Sequence, residues 1–201
     1  MKEINKEEII LASGSPRRKE LMAQAGIDFK IHVATIDESQ VDPSMDPENY
    51  VCLLSKLKAQ AVAANYPDAW TIGADTIVAV DDTILGKPDG HGQAVTMLSR
   101  LNNREHNVFT AFTITRPNAN ALVTKVANTR VRFKRLSNDE INWYAATQEP
   151  YDKAGGYGIQ GIGAFLVKEI RGSYTNVVGL PVCELIEALA VLGAISFKEA
   201  K

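Results

Sequence analysis

The sequence lacks most of the signatures that mark common binding and catalytic classes. Its three histidines, His32, His91 and His106, show no ligand spacing, so no zinc site is expected. There are only two cysteines, Cys52 and Cys183, each inside an apolar helical pattern, and they read as buried free thiols in a reducing compartment. No apolar run approaches the ~20 residues needed to span a bilayer. The N-terminal MKEINKEEII is charged and has no hydrophobic signal region. These absences lead to the expectation of a soluble, cytoplasmic protein with no membrane partner. A Walker A loop, GxxxxGK[ST], is absent as well, as are internal repeats and low-complexity segments. Excess positive charge is missing too. The net charge of −2 argues against a nucleic-acid partner held by broad electrostatics, and no array of aromatics is present to stack on single strands.

What is there is ordinary globular material. The chain has 201 residues, 45% hydrophobic and 23% charged, enough for one large domain or two small lobes.

Residues 71–88, TIGADTIVAVDDTILGKP, are the most informative stretch. Most are apolar and β-branched, as a buried strand requires, yet Asp75 sits in the middle. A carboxylate there is costly to desolvate unless a cation meets it. Lys87 follows, held between Gly86 and Pro88. A hairpin turning at Asp81-Asp82 would bring Lys87 back toward Asp75. A carboxylate able to hold a metal or take a proton, beside a lysine, suits phosphate chemistry; a purely structural Asp–Lys pair is the competing reading.

Upstream, residues 8–12 read as a short buried strand. Ser15 then serves as helix N-cap, Pro16 as first helical residue and Gly26 as the residue past the helix end. A strand, a small-residue loop and a helix N-terminus present free backbone N–H groups to an anion. Arg17, Arg18 and Lys19 crowd the first turn, where the helix dipole disfavours positive charge. An anionic ligand would remove the conflict. The alternative, side chains reaching into water, costs only ~0.3–1 kcal/mol each.

Residues 29–35 alternate as a strand would. A helix from Asp46-Pro47 to about Asn65 carries an apolar stripe of Val51, Leu54, Leu57, Ala61 and Val62. Lys58 falls in that stripe and Lys56 points away, so Lys58 either snorkels or enters a cleft. A further helix (93–101), two long strands (108–115 and 122–133), a capping box at Ser137–Glu140 opening a helix to Ala146, a strand (164–170) and a final helix ending near Gly193 follow. Between them lies 148–163, QEPYDKAGGYGIQGIG, with five glycines beside Asp152, Lys153, Tyr157 and Gln160. Such a loop turns tightly or lets backbone approach a ligand.

Together these motifs resemble the Maf family of nucleoside triphosphate pyrophosphatases over nearly the whole chain. They are LASGSPRR at 11–18, Asp37-Glu38, Tyr50-Val51, Lys58-Ala59, GADT at 73–76, LGKP at 85–88, DKAGGYGIQG at 152–161 and GSYTNVVGLP at 172–181. The chain departs from the family at Asn102–Glu105, before His106, where a glycine is usual, and in the glycine-richer loop 89–92. Both departures put local turn geometry in question, and neither touches the motifs.

The resemblance implies a single domain over 1–201 with an elongated α/β fold. Its long mixed sheet is flanked by helices, with a cleft between two lobes. It implies hydrolysis of a nucleoside triphosphate between the α and β phosphates, and a homodimer. Asp75 would be the catalytic base, and Glu38 and Asp75 would hold a divalent metal, Mg2+ or Mn2+. Ser13, Arg17, Arg18, Lys58, Thr76, Lys87 and Gln160 would bind substrate. Arg17, Thr76 and Gln160 stand where the 7-methyl-GTP branch has tryptophan, glutamine and glutamate, so the resemblance points to the dTTP and UTP branch. A tryptophan stacks on a cationic methylated purine, whereas arginine and a neutral amide suit an uncharged pyrimidine edge. The alternatives are the 7-methyl-GTP branch and a nucleotide-binding regulator of cell division that binds without turnover.

Overall fold

Strand β3 (Trp70–Val80) is buried along almost its whole length, the environment of a central strand. The structure, a computed structural model, describes residues 7–197. Most of the charged N-terminal stretch read above as lacking a signal region therefore lies outside the described residues. On one edge of β3 runs β1 (Ile9–Leu11), parallel, with β2 (Lys30–Ile31) parallel beyond it. On the other edge β5 (Glu105–Arg116), β6 (Ala121–Phe133) and β7 (Val167–Arg171) follow antiparallel. The short β4 (Thr83–Leu85) folds back on β3, completing a seven-stranded mixed sheet in the order β2-β1-β3-β5-β6-β7. Its turn is made by Asp81 and Asp82, both at positive φ (49° and 55°). A two-residue turn with both φ positive matches the twist of the strands it joins.

Side chains alternate across the sheet, and the two faces are covered differently. Helix α2 (Pro47–Ala63) lies on the face of Gly73, Asp75, Ile77 and Ala79, where Val51 packs with Ile77, Ala79, Phe109 and Ala111. The opposite face carries two separate cores. Helices α1 (Pro16–Gln24) and α6 (Val182–Val191) cover Ile72 and Ala74. Helices α3 (His91–Leu101) and α4 (Asn138–Ala145) cover Val78 and Val80. Thr76 falls at the junction, alongside the short α5 (Tyr174–Val178), whose Asn176 carbonyl accepts from Thr110 Oγ1 at 2.9 Å. The two lobes of this α/β fold are thus two cores built on one continuous sheet.

Local signals account for the helix ends. Asp46 caps α2 by accepting from the N–H groups of Glu48 and Asn49, and Ser137 with Glu140 forms the capping box of α4. Gly26 takes φ +73° just past α1.

Several expected elements differ. The strand expected over 29–35 shrinks to Lys30–Ile31, because β1 offers it only Ile10 and Leu11 as partners. The chain then leaves the sheet. The buried face of α2 is Val51, Leu54, Ser55, Ala59, Val62 and Ala63, with Leu57 and Ala61 only half-buried. The reason is close packing: small residues lie at the line where α2 meets β3. The final helix, α6, ends near Gly193 as expected, but the segment 173–181 that leads into it holds a further short helix, α5, which stops where Gly179 takes φ +129°. Residues 161–166 form a 3₁₀ turn, so β7 starts only at Val167. The thiols are free but not buried: Cys52 is half-exposed and Cys183 exposed.

Candidate active site

A gap in one edge of β3 makes the site. Pairing with β1 stops at Ile72 and pairing with β4 begins at Val78. Asp75 and Thr76 lie in this gap, with side chains toward opposite faces of the sheet. A cavity of about 450 Å3 opens here. Its walls come from the loop after β1, the N-terminus of α1, residue 38, α2, the end of the β3–β4 hairpin and residues 152–160. Ser13, Arg17, Arg18, Glu38, Lys58, Asp75, Thr76, Lys87 and Gln160 all line it.

Asp75 is only 8% exposed. The cation that meets it is Lys58, not Lys87: Lys58 Nζ lies 2.6 Å from Asp75 Oδ1 and 2.8 Å from Glu38 Oε1. Lys58 reaches there because Gly73 lets α2 come down onto the strand. A Cβ on Gly73 would collide with Ala59 N and Ser55 O. Ser55 instead passes over the glycine and meets Thr113 Oγ1 at 2.9 Å. Lys58, three residues on from Ser55, is carried to Asp75, two residues on from Gly73 on the same face. Its side chain is 14% exposed, that of a residue entering a cleft. Lys56 is half-buried and does not line the cavity. Tyr50 is close by. Partial burial, then the charges of Asp75 and Glu38, raise its hydroxyl above the usual tyrosine range, so it stays protonated.

Arg18 fills the gap itself. Its Nη1 donates to Ala74 O (2.8 Å) and Ser13 Oγ (3.2 Å), its Nη2 to Thr76 Oγ1 (3.0 Å) and its Nε to Gly179 O (2.8 Å). The guanidinium replaces the missing strand as partner of the β3 edge. Of its five N–H groups these bonds take four. Burial lowers its pKa while Asp75 opposes that, and an arginine remains charged. The first turn of α1 holds no acidic residue, and Ser15 makes no side-chain cap, so no side chain of the helix itself answers its N-terminus.

The other wall is the glycine-rich loop. Asp152 pairs with Arg17 Nη1 at 2.8 Å and with Lys153 Nζ at 2.6 Å, tying the α1 side of the cavity to the far side. Lys87 is exposed, but both its neighbours are held: Gly86 O accepts from Gly155 N–H (2.9 Å), and Pro88 is buried against Gly156. Asp152, Lys153 and Tyr157 also line the cavity, and sequence reasoning did not assign them to it. Their signal was present, since charged and aromatic residues among five glycines already marked the loop. Tyr157 is buried and its hydroxyl meets His106 Nε2 at 2.7 Å. Burial drives the His106 pKa down to about 4, so the ring is neutral at pH 7, and it raises that of the Tyr157 phenol.

The donor set bears on a metal. Among the described residues no group of three or more His, Cys, Asp or Glu is placed to hold an ion. Glu38 and Asp75 nevertheless share one cation already, the Lys58 ammonium. Two carboxylates with the remaining positions left to phosphate oxygens and water are the usual protein share of a magnesium site. The residues therefore fit a divalent ion that arrives with a polyphosphate.

A family model described as Maf-like protein matches residues 8–192. The chain is 47% identical to a dTTP/UTP pyrophosphatase of Syntrophus aciditrophicus over 191 residues, 95% of this chain and 93% of that protein. It is also 47% identical over 188 residues to a dTTP/UTP pyrophosphatase of Desulfotalea psychrophila, 94% of this chain and 96% of that one. Among solved structures, the nucleoside-triphosphatase / dITP/XTP pyrophosphatase of Mycobacterium abscessus matches with a TM-score of 0.47 at 16% identity, covering 92% of this chain and 98% of that chain.

Proposed function

The chain belongs to the Maf family, and from that membership we propose that it is a single-domain enzyme hydrolysing dTTP and UTP to the monophosphate and pyrophosphate. The observation that carries this reading is Asp75, a nearly buried carboxylate beside Lys58, at the floor of a cavity rimmed by cations.

In this mechanism a water oxygen bonds to the α phosphorus while the bond from that phosphorus to the α–β bridging oxygen breaks. Asp75 takes the water's proton. The bridging oxygen leaves with pyrophosphate, and its growing negative charge is met by Lys58, Lys87 and the last N–H of Arg18. Ser13 and the N–H groups at the start of α1 support the phosphate chain. Glu38 and Asp75 would hold Mg2+ or Mn2+. When bound, such an ion supplies charge neutralisation at phosphate oxygens. Arg17, Thr76 and Gln160 face the base and favour an uncharged pyrimidine. A site matched to a hydrogen-bonding edge rejects a mismatched base more strongly than an apolar pocket does. The Thr76 hydroxyl is already bonded to Arg18 and Thr110, so its part is to shape the pocket floor.

The family resemblance further supports a homodimer acting on free nucleotide, and the free thiols support a cytoplasmic setting. No helix among the described residues is long and apolar enough to cross a membrane.

The test is a panel of nucleoside triphosphates with magnesium, read by pyrophosphate release. dTTP and UTP are expected to be hydrolysed and 7-methyl-GTP poorly. Binding of dTTP without release of pyrophosphate would overturn the enzymatic reading, and a preference for 7-methyl-GTP would overturn the base assignment alone.

A further inference from the structure

The glycine-rich loop closes around one carboxylate. Glu149 opens the 3₁₀ turn Glu149–Asp152 and turns its side chain into the loop that follows. Its Oε2 accepts from Ile162 N–H at 2.9 Å. Its Oε1 accepts from Gly163 N–H at 2.9 Å and from the Tyr144 hydroxyl at 3.0 Å. That hydroxyl in turn accepts from Gly158 N–H at 3.1 Å. Burial raises the Tyr144 pKa, so the phenol keeps the proton it donates.

The glycines of the loop make room for this network and its neighbours. A Cβ on Gly161 would come to 2.9 Å from Glu149 Oε2; one on Gly158 would meet the Lys153 side chain at 2.8 Å before Glu149 Oε1 at 3.1 Å, and one on Gly163 would meet Gly158 O at 2.3 Å and the Tyr144 hydroxyl at 2.6 Å before Glu149 Oε1 at 2.9 Å. Gly161 also takes φ +67°. Gly161 is thus small because the Glu149 carboxylate lies against it, while Gly158 makes room for the Lys153 side chain, and Gly163 for the Tyr144 hydroxyl and the Gly158 carbonyl, as well as for that carboxylate.

The anchored amides bracket one residue. Gly158 lies two positions before Gln160 and Ile162 two positions after it, and Gln160 lines the cavity. We propose that Glu149, acting with Tyr144, is a positioning residue for base recognition: it sets where Gln160 presents its amide to the nucleobase. This inference rests on the assignment of Gln160 to the base. Bonds to a carboxylate are strong, charge-assisted ones, so the loop keeps one shape before substrate arrives and less affinity is lost to ordering it.

Glu149→Gln keeps the shape but turns an NH2 group toward an N–H donor. Tyr144→Phe removes only the hydroxyl. Each is measured alone and together with Gln160→Ala, reading kcat/KM for dTTP and for 7-methyl-GTP and amide exchange at Gly158, Ile162 and Gly163. The expected result is an about tenfold fall in the dTTP to 7-methyl-GTP ratio, the scale of one bond to a charged group, with faster exchange at these amides. In the Gln160→Ala background the further fall in the ratio disappears, because both changes act through one contact. Equal losses on both nucleotides, an unchanged ratio, or the same fall in both backgrounds would each overturn the proposal. If Glu149→Gln does not fold, Tyr144→Phe carries the same test. A wild-type enzyme that prefers 7-methyl-GTP defeats the base assignment instead, and unchanged amide exchange in the variants defeats the anchor itself.

Discussion

Asp75 combines burial, a cation at 2.6 Å and a place on the cavity wall. A carboxylate with only a structural role would need the first two features and not the third. Asp75→Asn keeps the shape and removes charge and basicity. It is expected to lower kcat by at least ~10², the usual scale for a general base. It leaves Lys58 paired to Glu38, so the fold persists. Pyrophosphate release at saturating dTTP measures the effect, and near-normal turnover would remove Asp75 from the mechanism. Lys58 would act differently: as a charge that meets phosphate oxygens, it contributes to transition-state stabilisation and takes no proton.

At the scale of elements, the contact between α2 and β3 decides the site. Gly73 is the position where the helix backbone rests on the strand, with Ala59 Cα only 2.9 Å from where a Cβ would stand. The atoms in the way are backbone, which cannot rotate aside as a flexible side chain could. Gly73→Ala must push the helix outward. The expected cost is about 1–3 kcal/mol, the range for overpacking a core, measured as a lower urea midpoint with unchanged slope. Because the same displacement draws Lys58 away from Asp75, kcat/KM for dTTP should fall in folded enzyme as well. A variant with wild-type stability and activity would show that α2 has slack at this contact.

For the molecule as a whole, the cavity is where the two cores of the sheet meet. Arg17 comes from α1 on the first core, Thr76 from the junction, and Gln160 from the loop that packs on the second core through Tyr157 and on the first through Ile159. The Arg17–Asp152 ion pair bridges the two sides. If these three residues read the base, as proposed above, selectivity is a property of the whole fold, and no single position should transfer it. Arg17→Trp, Thr76→Gln and Gln160→Glu together are expected to move preference from dTTP and UTP toward 7-methyl-GTP. Each alone should mainly lower pyrimidine turnover, since contacts to one base are not additive. The ratio of kcat/KM values reads the outcome. A uniform fall on every nucleotide would mean that these residues only pack the loops.

What the sequence determined by itself is what short-range chemistry specifies. Caps at Asp46 and Ser137, the Asp81-Asp82 turn and the buried strand around Asp75 were legible because each depends on residues a few positions apart. The nine candidate site residues were legible through motifs, since each motif is local. The tertiary structure decided how they meet. It chose Lys58 over Lys87 as the partner of Asp75, because Gly73 lets α2 approach the strand there, and a hairpin register alone cannot express that contact. It cut the strand at 29–35 to two residues, because a strand's length depends on how much edge its neighbour offers. It turned Arg18 from a simple phosphate ligand into the group that fills a missing strand, because the edge gap exists only once β1 and β4 have both paired. It made Glu149, which no motif reading singled out, the centre of the glycine loop, because a carboxylate bonded to amides thirteen and fourteen residues away is visible only when the chain has folded around it.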